Sequence, residues 1–403
     1  MCEKINFAWP VTSEHAAVYQ HFKEEVERIK DTLVINRIVI FGAGIRGCCL
    51  LRILEQYGFK NIVFCDNNSE KQGNFINDYD ILSFGEVLCY QGGQIFLISP
   101  ENSRTMEKQL AGAGLKEGQD WFSFGISVYD SYISEYGRPV ANHMLVMGDC
   151  AFSHIALADE VADSLGDMIK MQLGKDQCKV LAMHGIGQQA YYHIIRSLLA
   201  RGERPALLLL LLVMEVLTPK AHLMPRTQHP ALIHRLAETT QHPQAEFSEY
   251  AKLAEERFNR FQLESFASFK KTAGDTTEKL YMKMNYLFKI REETEGVVYL
   301  KKTIKMLNDY NIPIVLYVPP VNYMQGERFF GSDFKTRYTE NFTKLYSFLN
   351  GEHLDYSVAD ASFLLREDEF AATNTIDETS NYVGRSKLLN FFNESKALRS
   401  VFE

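Results

Sequence analysis

Arg37-Ile38-Val39-Ile40-Phe41-Gly42-Ala43-Gly44-Ile45-Arg46-Gly47 is the stretch that decides the fold of this chain. Arg37 to Phe41 is a short β-branched run that predicts a buried strand, and it ends directly in Gly-x-Gly-x-x-Gly. Cys48 to Tyr57 then predicts a helix with Leu50, Leu51 and Leu54 on one side, and Asn61 to Cys65 a second strand closed by Asp66. Each glycine has its own task. Gly42 makes the tight turn, Gly44 lets backbone approach a phosphate, and Gly47 allows close helix–strand packing. Amides at the start of the helix then face an anion, helped by the helix dipole. Arg46 is either a phosphate contact or a solvated loop charge. Asp66 lies about 24 residues beyond Gly42, at a strand end where a carboxylate can accept hydrogen bonds from ribose hydroxyls.

Working outward, a helix is expected from near Ser13, carrying Val18, Phe22, Val26, Ile29 and Leu33 at helical spacing. Strands are expected around Tyr79 to Leu82, Gln94 to Ile98 and Trp121 to Phe124, with a helix from about Ser103 to Gly112. This alternation predicts a parallel sheet covered by helices, a Rossmann-like nucleotide-binding domain over residues 1–128. Tyr129 to Val140, with Gly137-Arg138-Pro139, reads as a linker (129–142). A fresh series follows. Strands are expected at Met144 to Met147, Lys179 to Met183, Ala206 to Leu217, Ile312 to Val318 and Tyr356 to Val358. Helices are expected at Phe152 to Gln172, Ala190 to Ala200, Glu246 to Lys271, Thr277 to Tyr310, Phe334 to Leu349 and from Arg385 onward. The expected fold class is α/β: a Rossmann-like parallel-sheet domain, then a larger three-layer α/β domain over 143–403 with a helical insertion at about 246–310.

Composition sets outer limits. A length of 403 residues implies two domains. A net charge of −8 argues against a general nucleic-acid binder, because neutralising a phosphate backbone needs a basic surface. The seven cysteines are irregularly spaced with no C-x-x-C pair, so neither a zinc knuckle nor a disulfide framework is indicated. His222, His229, His234 and His242 lack metal-ligand spacing, and no metal is expected. The start of the chain lacks the basic and apolar segments of a signal peptide. The most apolar stretch, Ala206 to Val213, is too short to span a bilayer. A cytoplasmic protein is the expectation. Phe247, Tyr250, Phe258, Phe261, Phe266 and Phe269 recur at helical spacing, which suits core packing or a homo-oligomer interface.

Ile40-Phe41-Gly42-Ala43-Gly44, Phe64-Cys65-Asp66-Asn67-Asn68 and Lys71-Gln72-Gly73 together resemble the nucleotide-binding segment attached to many bacterial surface-glycan enzymes. The resemblance covers about the first 125 residues and implies binding of a nucleotide, such as a nucleotide sugar. NAD ranks second, since no hydride-transfer residues follow.

In the second domain, Met147-Gly148-Asp149-Cys150 ends a strand and starts a helix, a position that presents a nucleophile on a sharp turn near backbone amides. It resembles the first block of SGNH (GDSL-type) hydrolases, with cysteine where serine is expected. His184-Gly185-Ile186-Gly187-Gln188 resembles the second block, whose glycine supplies an oxyanion-hole amide; Gly187 is the better match and Gly185 the alternative. The third block's Gly-x-Asn-Asp is missing, since Val213-Met214-Glu215-Val216 stands there. The last block, Asp-x-x-His, is matched by Asp377-Glu378-Thr379-Ser380, with serine in place of the catalytic histidine. His154 and His184 are the candidate bases for Cys150. The Gly-Asp-Cys string is also similar to the start of capsule-polysaccharide acetyltransferases, which use coenzyme A. These resemblances imply acyl transfer or deacylation on a glycan or small-molecule substrate. Two alternatives stand beside it: an inactive SGNH-like binding module and a nicotinamide-dependent oxidoreductase.

Overall fold

The structure is a computed structural model describing residues 13–34, 36–100, 103–125, 129–140, 142–153, 163–183, 185–218, 229, 232–233, 235–236, 252, 277–370 and 380–398. The chain is α/β and divides into two compact units, Met1–Ser131 and Tyr132–Glu403.

The first unit runs α1 (Ser13–Leu33), β1 (Arg37–Phe41), α2 (Ile45–Gln56), β2 (Ile62–Cys65), β3 (Phe75–Ile76), β4 (Tyr79–Leu82), α3 (Phe84–Leu88), β5 (Gln94–Ile98), α4 (Arg104–Gly112) and β6 (Trp121–Ser123). Its sheet has the order β3-β4-β2-β1-β5-β6, all parallel except the β3–β4 edge hairpin. Side chains alternate across β1. Ile38 and Ile40 pack with Val18, Phe22, Val26, Ile29 and Leu33 of α1 and with Leu50, Leu51 and Leu54 of α2. Val39 and Phe41 join Val87, Phe96, Ile98, Leu110 and Trp121 on the other face. A strand buried on both faces needs a continuous apolar run, which is why Ile-Val-Ile-Phe carries no polar alternation. α3 was not foreseen from the sequence. It is a one-turn helix held by a capping box in which Ser83 and Glu86 satisfy each other's backbone amides.

The second unit runs α5 (Tyr129–Gly137, whose first residues precede the boundary), β7 (Met144–Gly148), α6 (Cys150–Ser153), α7 (Leu165–Leu173), β8 (Cys178–Ala182), α8 (Gln188–Ala200) and β9 (Leu207–Leu211). It continues with α9 (Thr277–Tyr286), α10 (Glu295–Asp309), β10 (Ile314–Val318), α11 (Tyr323–Phe330), α12 (Asp333–Gly351), β11 (Ser357–Asp360) and α13 (Tyr382–Glu394). The five strands are parallel in the order β11-β10-β9-β7-β8. β9, at the centre, is five leucines, all buried. α8 packs against α10, and α7 against α13.

Four expectations for this unit are corrected. Residues 129–142 are not a plain linker, because Tyr129–Gly137 is helical and buries Tyr132 and Tyr136 four residues apart on one face. Gly137-Arg138-Pro139 is its stop signal. Arg201 Nη2 donates to the Tyr136 carbonyl at 2.8 Å, and the Tyr136 hydroxyl meets Ser197 Oγ at 2.6 Å. The expected helix Phe152 to Gln172 is interrupted: Asp163 and Ser164 are not helical, and Ser164 caps a new helix in a reciprocal box with Asp167. The expected strand Ala206 to Leu217 ends at Leu211 and continues as a 3-10 turn, Met214–Leu217. An unbroken apolar run reports burial, and both conformations are buried here. The expected helix Thr277 to Tyr310 is two helices. Asn341 of α12 fills the break, accepting from Ile290 N and donating to the carbonyls of Tyr286 and Phe288. Residues 246–271 of the expected insertion lie outside the described residues apart from Lys252, which is helical.

Candidate functional site

In the first unit, β2 and β4 lie on one side of β1, and β5 and β6 on the other. The chain reverses its winding at β1/β5, the kind of switch point at which open α/β sheets bind ligands beyond the carboxyl ends of their strands. The glycine turn follows β1 at that point. Gly42 has φ +111°, and a Cβ there would approach Pro100 Cγ to 2.6 Å, so the turn excludes other residues on two grounds. A Cβ at Gly47 would overlap the Gly42 carbonyl oxygen. Gly44 differs from both. It has φ −121°, is exposed, and a Cβ there would meet nothing within 4 Å. It stands at the N-cap of α2 without a side-chain cap, and no acidic residue follows in the first turn. The backbone at Gly44 is therefore open to a ligand, while Gly42 and Gly47 are spent on the fold. Arg46 is half-buried on α2.

Asp66 is 8% exposed and faces the turn itself. Its Oδ2 accepts from Ala43 N at 2.7 Å and from Lys71 Nζ at 3.2 Å, and its Oδ1 from Asn68 N at 2.9 Å. Three of the carboxylate's roughly four acceptor positions are thus used by the protein, which narrows what remains for a ribose. Lys71 Nζ also donates to the Ala43 carbonyl at 3.0 Å, and Gln72 Nε2 to the Asp66 carbonyl at 2.9 Å. Lys71 and Gln72 thereby fasten the end of β2 to the turn, a role that spacing alone did not suggest.

In the second unit the winding reverses between β7 and β9, and Gly148-Asp149-Cys150 lies at the end of β7. Glycine is required at 148 because a Cβ would overlap the Phe152 ring. Asp149 is buried and caps the next turn: its Oδ1 accepts from Ala151 N at 2.9 Å, and its carbonyl from Phe152 N and Ser153 N. Cys150 is 6% exposed. Two other thiols, Cys65 and Cys178, are pushed up to about 12, chiefly by burial, and stay protonated at neutral pH. Tyr191 of α8 was missed by sequence reasoning. It is fully buried, and burial first, then the nearby Asp149 carboxylate, holds its phenol far above the ordinary range. It stays a neutral hydroxyl beside Asp149 and Cys150.

Gly185 has φ +65° in a turn where Ile186 N donates to the Met183 carbonyl, so its glycine is explained by the turn. Gly187 is the N-cap of α8. Ser380 is 2% exposed, pairs with Phe370 in an isolated antiparallel bridge and accepts, through its carbonyl, from Arg385 Nη1 at 2.9 Å. Glu215 is buried on the 3-10 turn after β9. His154, His184 and Asp377 lie outside the described residues, as do His222, His234 and His242. Among the described residues no group of three metal-ligating side chains comes together. Among them, too, no helix is long and apolar enough to cross a membrane. Searches against protein-family models, curated proteins and solved structures find no match.

Proposed function

We propose that the chain is a bacterial glycan-modifying protein whose first unit binds a nucleotide-bearing ligand, with a nucleotide sugar ahead of NAD, at the β1–α2 turn. One observation carries this most directly. Of the three glycines, only Gly44 has no packing reason to be glycine, and it stands exposed at the switch point of the sheet. A phosphate received there meets the unspent amides of the first turn of α2. Lys71 and Arg46 supply positive charge nearby. The test is a titration of the full chain with UDP-sugars, NAD, NADP and coenzyme A. UDP-sugar binding abolished by Gly44→Val is the expected result, and tight NAD binding with no UDP-sugar response would overturn the ranking.

For the second unit we propose acyl chemistry at Cys150. The cysteine sulfur attacks the acyl carbonyl, and the sugar oxygen leaves as a hydroxyl with a proton from the base. Water or an acceptor hydroxyl then takes the acyl group from the thioester, which restores the thiol. The strand-end turn and the Gly187 cap support this reading. The second reading is a binding module without catalysis, favoured by serine at 380 where a histidine would complete the set. Thiol alkylation separates them: a Cys150 no faster than an ordinary thiol at neutral pH favours the module.

A further inference from the structure

Buried polar side chains gather along the carboxyl edge of the second sheet, and several carry atoms with no hydrogen-bond partner among the described residues. Three of these are Gln188 Oε1, Asn322 Nδ2 and Ser380 Oγ, on residues 2%, 0% and 2% exposed, and Gln325 Oε1, on the helix that Asn322 caps, is another. The first three come from three different connections. Gln188 opens α8 after β8, Asn322 caps α11 after β10, and Ser380 precedes α13 after β11. Side-chain and backbone contacts link the three connections. Gln188 Nε2 donates to the Leu211 carbonyl at the end of β9, and Leu212 N to the Tyr317 carbonyl of β10. Val321 N donates to the Ser362 carbonyl after β11, and Leu365, beyond it, lies with Ser380 against Gly384. Three adjacent strands at ordinary spacing span about 10 Å, the size of one or two sugar rings.

The two amides are oriented. Asn322 Oδ1 accepts from Gln325 N at 3.2 Å, so its amide hydrogens point away from α11. Gln188 Nε2 is turned to Leu211, so its carbonyl oxygen points away from β9. Burying an amide with half its capacity unused is costly, and a native fold keeps such a group where something else completes it. The unused atoms define what that is. Gln188 Oε1 is an acceptor, Asn322 Nδ2 a donor, and Ser380 Oγ either. All three are uncharged. A carboxylate or phosphate offers only acceptors and would face the Gln188 oxygen unpaired, whereas a hydroxyl both donates and accepts.

We propose that Gln188 and Asn322, with Ser380, read the uncharged hydroxyl-bearing part of the ligand in the second unit and select against anionic sugars. This rests on taking that carboxyl edge as a ligand site.

The test uses the full chain with Gln188→Met, which keeps side-chain volume and removes both the free acceptor and the donor to Leu211, and Asn322→Ser, which keeps an oxygen to cap α11 and withdraws the amide donor by shortening the side chain. The probes are neutral methyl hexopyranosides and their O-acetyl esters, compared with the matching glucuronides and hexose phosphates, with binding followed by saturation-transfer NMR. Wild type should bind the neutral probes in preference, and each variant should lose at least tenfold in affinity. The unliganded melting temperature of Gln188→Met should change little, because loss of the long bond to the Leu211 carbonyl is offset by removal of an unpaired buried oxygen; a purely structural glutamine would lower it and leave neutral-probe binding unaltered. Unaltered neutral-probe binding in both variants, equal or better binding of anionic probes, or no binding of any neutral probe overturns the proposal. The Cys150 reading fails separately. If Cys150→Ala turns over the acetyl esters like wild type while Gln188→Met loses neutral-sugar binding, the acyl mechanism falls and the sugar-reading pair stands. If Cys150→Ala abolishes turnover and Gln188→Met binds normally, the reverse holds.

Discussion

Asp66 Oδ2 accepts a hydrogen bond from the Ala43 amide at 2.7 Å, so the acid at the end of β2 is tied to the very turn proposed to receive a ligand. A carboxylate so close to the proposed phosphate position would repel an anion unless compensated, and Lys71 Nζ reaches both Asp66 Oδ2 and the Ala43 carbonyl. Removing the acid by Asp66→Ala should therefore cost the first unit about 1.5–3 kcal/mol, the usual worth of a hydrogen bond to a charged group. Both tryptophans, Trp9 and Trp121, fall in that unit, so denaturant unfolding followed by tryptophan fluorescence reads it selectively. Lys71→Met alone should weaken phosphate-bearing ligands more than nucleosides, and Asp66→Asn added to it should restore part of the loss.

Gly44 and Gly47 should respond oppositely to alanine. Gly47→Ala drives a methyl into the Gly42 carbonyl and should destabilise the first unit by about 3 kcal/mol. Gly44→Ala meets open space and should cost no more than about 1 kcal/mol, the N-cap preference of glycine over alanine. Calorimetric titration with a UDP-sugar should show the proposed binding lost in Gly44→Ala nonetheless.

Cys150→Ala should abolish acyl turnover and leave nucleotide binding unchanged. Persistence of esterase activity in the variant, measured with O-acetyl glycosides, would count against a covalent role.

His193 gives the pH dependence a sign. It is buried against Tyr192 and Tyr299, and burial, reinforced by Arg196 and Lys302, lowers it to about 4. Between that value and the ordinary 6.5 the unfolded chain takes up a proton that the folded chain refuses. Stability must therefore fall as pH drops through this window, by up to about 3 kcal/mol at its lower end. His143, also lowered by burial, acts in the same direction. Melting curves from pH 7 to 4.5 should show a shallower decline for His193→Phe than for wild type; parallel declines would remove His193 from the account.

Much of the first unit was legible because its signals are local. Ile38-Val39-Ile40-Phe41, the three glycines and the Ser13 helix each carry their own periodicity or turn chemistry, and β1, β4, β5 and α1 fall where these place them. Failures came where one signal serves two structures. The leucine run at 207–211 and Met214–Leu217 are equally buried, and only the partner Tyr317 shows where the strand stops. The break between α9 and α10 depends on Asn341, some fifty residues away in sequence. Candidate-site residues divide in the same way. Gly42, Gly44 and Gly47 were legible from spacing, whereas Gln188 and Asn322 look like ordinary helix-start polar residues until their burial is known. Tyr191 reveals itself only through its neighbours Asp149 and Cys150.

The contrast between Gly44 and Gly47 has a consequence for tracing the history of this fold. Gly47 is demanded by the chain's own carbonyl, so its retention in any descendant records only that the domain still folds. Gly44 has no such obligation. If the proposed ligand is what keeps Gly44, a lineage that abandoned it would be free to drift there first, which makes that position, among three glycines of similar appearance, the one whose loss would date the loss of binding.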